Sequence, residues 1–221
     1  MAEFEDDVRV VGQPPLMVEL LDDKEFVHGM LRQERRFTMP ECWMVESLDG
    51  LKALANGGEL TFPIVGKRPV RDGGSLAVKV CHDAVELEYH VRALLKDSPR
   101  VMLEEYLAGE EATITVFPPS FEEGRDDYWA SPIVARLNYG EGVAPMNSII
   151  EVTSKSKVLA SEDYEQDVHY QAVAKECEEV ARLLRVTAAI RVDVRRFKEG
   201  KFALFGVSVK PVSLTFLFII H

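Results

Sequence analysis

Hydrophobic and polar positions along this chain alternate between a helical period and a strand period, and the switches mark its elements. Val173, Cys177, Val180, Ala181 and Leu184 recur at helical spacing and predict a long helix over about residues 162–184. Val85, Leu87, Val91, Leu94 and Leu95 predict a second helix, opened by His82-Asp83 and running through Lys96. Phe26, Met30 and Leu31 mark the apolar side of a third, capped by Asp22-Asp23 and reaching about Arg36. Ser47 caps a short helix over 48–55 that stops at Gly57-Gly58. A β-branched, alternating run predicts a strand at 112–117, with further strands at 42–45, 62–67, 76–80, 101–103, 128–137, 188–197 and 202–209. Gly12, Pro14 and Pro15 read as a turn or extended linker. Gly140, Gly142 and Pro145 mark a loop able to close over a site.

This order predicts an α+β fold without internal repeats. Residues 1–20 form a lead-in. A small helix-and-hairpin subdomain covers 21–103, and a larger sheet-and-helix subdomain covers 104–211. An apolar tail covers 212–221, uncharged and β-prone from Leu214 to Ile220. The boundary falls at a hinge over 104–107, and a cleft between two such units is a common place for a ligand.

Composition narrows the classes. Apolar residues make up 47% and charged residues 29%, so the chain reads as soluble and globular. A formal net charge of −11 argues against a general nucleic-acid or anionic-membrane surface, though one basic pocket suffices for a nucleotide. Cys42, Cys81 and Cys177 are widely spaced and odd in number, as suits a reducing, cytoplasmic setting without disulfides or a metal cluster. The acidic start has no apolar core of a signal peptide, and the longest apolar run is too short to span a bilayer.

The chemistry concentrates between Thr61 and Val116. Lys67 ends a strand, and Asp72-Gly73-Gly74-Ser75 forms a small-residue turn. Glu104-Glu105-Tyr106-Leu107 and then Gly109-Glu110-Glu111 form a hinge with spaced acids. Those are parts that can hold a nucleoside triphosphate: charge for phosphates, glycines that let backbone N–H groups approach, and a carboxylate for ribose. Each part also has a plainer reading. Lys24 and Lys67 would serve as solvated surface lysines, Gly73-Gly74 as an ordinary hairpin turn, and 104–111 as an acidic surface turn. Asp193 would be a strand acid paired with Arg191 or Arg195 on its own face. The five histidines show no ligand spacing.

In the order of these motifs, the chain resembles the ATP-grasp superfamily over about residues 20–211, most closely its D-alanine–D-alanine ligase-like branch, with closing strands like those of fungal members. The resemblance implies an ATP-grasp core that holds ATP and Mg2+. Lys24, Lys67, Gly73, Gly74 and Ser75 would hold phosphate, and Glu104, Tyr106, Leu107 and Glu111 the adenosine. Asp193 would hold magnesium, and Arg191 would steady an acyl phosphate. The implied reaction joins a small carboxylate to an amine through that acyl phosphate.

The pattern also breaks. The family's second acid and its asparagine fall at Gly206 and Ser208, neither able to replace a carboxylate for magnesium. The preceding α/β domain and the loop after Pro211 are not matched, so the chain looks truncated at both ends relative to the pattern. Two other expectations therefore stand beside the ligase: a catalytically impaired nucleotide-binding remnant, and a structural domain with a coincidental hinge.

Overall fold

This computed structural model describes residues 12–69, 78–120, 124–136 and 156–209. The small-residue turn with Gly73, Gly74 and Ser75, the loop at 140–145 and the tail at 212–221 lie outside the described residues.

Two helices lead, α1 (Pro15–Asp22) and α2 (Lys24–Gln33), followed by β1 (Cys42–Val45) and α3 (Leu48–Asn56). Next come β2 (Ile64–Lys67), β3 (Lys79–Cys81), α4 (Ala84–Leu94) and β4 (Val101–Glu105). The remainder is β5 (Glu111–Phe117), β6 (Trp129–Ala130), β7 (Val134–Arg136), β8 (Ser156–Val158), α5 (Ser161–Gln166), α6 (Val168–Leu183), β9 (Ile190–Arg196) and β10 (Phe202–Ser208). The fold is α+β.

The first sheet has the order β1-β4-β2-β3, and the second runs β10-β9-β5-β7-β8 with β6 also on β5. All described pairings are antiparallel. The first sheet buries Val45, Ile64, Val101 and Leu103 against Leu51 of α3 and Leu87, Val91 and Leu94 of α4. The second buries Ile114, Val116, Val192 and Val194 against α6. Val173, Cys177, Val180, Ala181 and Leu184 are all buried, as their helical spacing predicts. Leu21, Val27 and Leu31 of the leading helices join this second core.

Several sequence expectations change. Part of the expected lead-in is helical: Pro15 stands at the first helical position, where a missing N–H costs nothing. Phe26 is 42% exposed and Val85 79% exposed. Val85 lies two residues from Leu87, about 200° around the helix, so burying one turns the other outward. The long helix over 162–184 is two helices. Asp167 takes an extended conformation between them (φ −140°, ψ 105°), caps His169 N and accepts from Arg196. The strand over 128–137 splits around Pro132, which has no N–H for the ladder.

Candidate functional site: a cleft between two sheets

A cleft opens between the sheets, lined on one side by Val65, Lys67, Glu104 and Tyr106 and on the other by Glu111, Asp193, Arg195 and Gly206. Asp22, Lys24, Val78 and Phe205 complete much of its wall.

Strand pleating builds the first side. Val65 pairs with Glu104 across β2 and β4, and Lys67 lies two residues from Val65 on the same face. Lys67 and Glu104 therefore meet as a salt bridge, with side chains only 7% and 4% exposed. His28 of α2, one helical turn beyond Lys24, brings Nδ1 to 3.2 Å from the other Glu104 oxygen. The approach is close but lacks the alignment of a hydrogen bond. Burial opposes ionisation of Glu104, but the adjacent Lys67 ammonium and His28 outweigh it and hold the carboxyl at about 2. Burial lowers the His28 pKa in spite of the carboxylate beside it. At neutral pH the triad is thus a charged Lys–Glu pair backed by a neutral imidazole.

The hinge follows directly. The Tyr106 amide donates to Pro63 O at 3.4 Å, and Leu107 is buried. Lys24 donates from its backbone to Pro69 O at 3.2 Å and from Nζ to Arg68 O at 3.4 Å.

The second side is the polar face of β9 and its neighbours. Arg191, Asp193 and Arg195 alternate with the buried Ile190, Val192 and Val194. Across the ladder, Asp193 stands opposite Thr113 on β5 and Gly206 on β10. It accepts from Arg191 at 3.0 Å and from Thr113 Oγ1 at 3.1 Å. Glu111 lies 3.2 Å from Arg136 and 3.4 Å from Arg195. Burial raises the Glu111 pKa although both arginines pull it down. The Arg195 guanidinium also covers the Tyr106 ring at 5.5 Å, tying the floor to the hinge.

The structure thus brings Lys24, Lys67, Glu104, Tyr106, Leu107, Glu111 and Asp193 to one cleft, with Arg191 on the same strand face as Asp193. His28, Arg136 and Phe205 were not among the expected site residues. His28 carried one usable signal, its i,i+4 spacing from Lys24. Arg195 was expected only as a partner for Asp193; strand alternation from Asp193 marks it as facing the cleft.

The described residues do not form a complete divalent-metal seat. Asp193 is already engaged by a guanidinium, and a Cβ placed on Gly206 would lie 3.5 Å from Asp193 Oδ2, where no side chain stands. Among the described residues, no group of three or more His, Cys, Asp or Glu side chains is placed to hold a metal ion.

Comparison with known proteins agrees on the architecture. The chain is 26% identical over 155 residues to the D-alanine–D-alanine ligase of Aquifex aeolicus, covering 68% of this chain and 46% of that ligase. It is 29% identical over 161 residues to the Gloeobacter violaceus D-alanine–D-alanine ligase, covering 69% and 46%. The chain therefore spans about half the length of the curated relatives it matches. Among solved structures, the Bacillus anthracis D-alanine–D-alanine ligase superposes with a TM-score of 0.69 at 22% identity, covering 95% of this chain and 64% of that one. The VanG D-Ala:D-Ser ligase of Enterococcus faecalis superposes with a TM-score of 0.68 at 18% identity, covering 92% and 57%. The model of the "D-ala D-ala ligase C-terminus" family matches residues 45–212. With that match over most of its length and the two-sheet cleft described above, the chain belongs to the D-alanine–D-alanine ligase C-terminal family and has the ATP-grasp fold.

Proposed function

We propose that this chain binds an adenine nucleotide in the cleft between its sheets, as a protein of the ATP-dependent carboxylate–amine ligase type. The observation that carries this reading is the buried Lys67–Glu104 pair on the cleft wall. It presents a fixed positive charge for phosphate and an acceptor-only carboxylate for a base amino group. Glu111 suits ribose hydroxyls, Lys24 a second phosphate contact, and Arg191 an oxyanion on the substrate side. Gly73, Gly74 and Ser75 would supply backbone N–H groups to the phosphates. In the inherited reaction, a small carboxylate takes a phosphoryl group from ATP, and an amine then displaces phosphate from the acyl phosphate. The chain's own contribution is positioning and charge neutralisation.

A second reading, a nucleotide-binding protein without ligase turnover, is favoured by the bare Gly206 beside Asp193. The single carboxylate at that point does not replace a metal-binding pair, so no step is assigned to magnesium. ADP release from ATP with pooled amino acids separates the two readings.

The cytoplasm suits Cys42, Cys81 and Cys177, which are all unpaired thiols. No helix among the described residues is long and apolar enough to cross a membrane.

Binding is tested by calorimetry with ATP and ADP on the wild type and on a Lys67→Met, Glu104→Gln double variant, which removes both charges together. The expected loss is about 1–3 kcal/mol of binding free energy. Equal affinities would take the pair out of the site.

A further inference from the structure

We propose that His28, which is not among the residues lining the cleft, is a positioning residue for base selection: it orients the Glu104 carboxylate that meets the nucleotide. This rests on the nucleotide-binding reading above.

His28 Nδ1 and Glu104 Oε1 face each other at 3.2 Å. Each is shut away from solvent without an aligned hydrogen-bond partner among the described residues. The other oxygen, Oε2, belongs to the Lys67 ammonium. The two carboxylate oxygens are thus inequivalent: one turns back toward α2, and the other stays with the lysine on the cleft wall. A buried carboxylate oxygen with no donor is costly. The ring proton is therefore favoured on Nδ1, since a ring lone pair there would face the carboxylate charge.

A glutamate needs such help because its last side-chain torsion is broad and has little preference of its own. Lys67 fixes one oxygen and leaves the carboxylate plane free to turn about it. A second contact on the other oxygen sets the plane, and with it the direction in which the carboxylate accepts. A base amino group is read by that direction, because a hydrogen bond weakens steeply away from alignment.

Packing does not account for the residue. His28 is 2% exposed, beside Val27 and one turn before Leu31, both buried in the core of the second sheet. An apolar side chain would fill such a place without a polar group to satisfy. The same helix also grips the first sheet and its loops: Glu25 pairs with Arg100 at 2.9 Å, and the Lys24 amide donates to Pro69 O at 3.2 Å. These contacts seat α2 so that the imidazole stands at a set distance from Glu104. Burial lowers the His28 pKa. The neutral ring therefore orients Glu104 without drawing the carboxylate out of its pair with Lys67.

The experiment is calorimetry of the full chain with ATP and with purine riboside triphosphate, which lacks only the base amino group. The wild type is expected to favour ATP by about tenfold or more, as a hydrogen bond to a charged group allows. His28→Leu, checked for folding by thermal unfolding, is expected to bind both and to cut that preference to about threefold or less. His28→Asn, whose amide nitrogen can stand near the Nδ1 position, is expected to hold the preference within about twofold of wild type. Should the leucine variant not fold, His28→Gln makes the same comparison. Its amide reaches the far side of the ring position, away from Glu104, and the preference is expected to fall. An unchanged preference in a folded leucine or glutamine variant would overturn the inference, as would an equal loss in the asparagine variant. Equal wild-type affinities for the two triphosphates would also overturn it, while leaving nucleotide binding intact. Absence of binding by either would overturn the nucleotide-binding reading, and this inference with it.

Discussion

The Glu104 carboxylate and the Lys67 ammonium form a salt bridge that is almost wholly shut away from solvent, with His28 against the opposite oxygen. Such a pair need not stabilise the fold relative to apolar residues, because desolvating both charges offsets their attraction. Breaking it from one side is another matter. Glu104→Gln leaves a buried ammonium without its counter-charge and is expected to destabilise the protein by about 3–5 kcal/mol. Adding Lys67→Met should recover much of that loss. Urea unfolding of the wild type, both single variants and the double variant measures the coupling. Additive losses would show that the two side chains do not act as a unit.

Gly109 is set by its neighbour rather than by its own conformation. A Cβ at this position would come within 2.4 Å of Arg196 Cβ and 2.7 Å of Arg196 O. The approach is that close because Arg196 grips the hinge turn. Its amide donates to Glu110 O at 2.8 Å, and its Nε donates to Glu110 Oε2 at 2.8 Å. Arg196 also reaches Gly200 O at 2.8 Å and Asp167 at 2.5 Å, so it has little room to retreat. Gly109→Ala is expected to cost about 1–3 kcal/mol of stability. Backbone atoms must shift, so trimming the arginine should not fully relieve the clash. A Gly109→Ala protein as stable as wild type in thermal unfolding would mean that the turn does not pack on Arg196.

Elements with one buried face were legible because a single period reports them. The α6 set from Val173 to Leu184 and the alternation along β9 each describe a surface that must meet a core. What depends on a distant partner was not legible. The helix break at Asp167 carries no proline or glycine; an arginine on β9 and a capped amide hold it. Helix α1 was hidden by Pro14-Pro15, a pair that serves a linker and a helix start equally well. In the site, Lys67, Glu104, Glu111 and Asp193 stood out as charged residues at strand ends or within strands. His28 did not, because its meaning comes only from the approach of α2 to β4.

Glu176 on α6 ties folding to pH. It accepts a hydrogen bond from the Thr38 amide at 2.6 Å. Burial is the larger influence and raises its pKa from 4.5 to about 7, against the pull of that amide. The sign follows from proton counts. Below about pH 4.5 the group is protonated in both folded and unfolded chains, so it makes no difference to stability. Between about pH 4.5 and 7 the folded protein holds the extra proton, so stability falls as pH rises. Above that window the whole cost of a buried carboxylate is present. Glu176→Gln keeps an oxygen for the Thr38 amide and removes the charge. It is expected to be about 1–3 kcal/mol more stable than wild type at pH 8 and nearly equal to it at pH 4. Urea unfolding of both proteins at the two pH values reads the difference directly, because the other carboxylates titrate alike in each. A constant offset between the proteins at both pH values would show that Glu176 ionises normally and that its contact with Thr38 leaves it open to water.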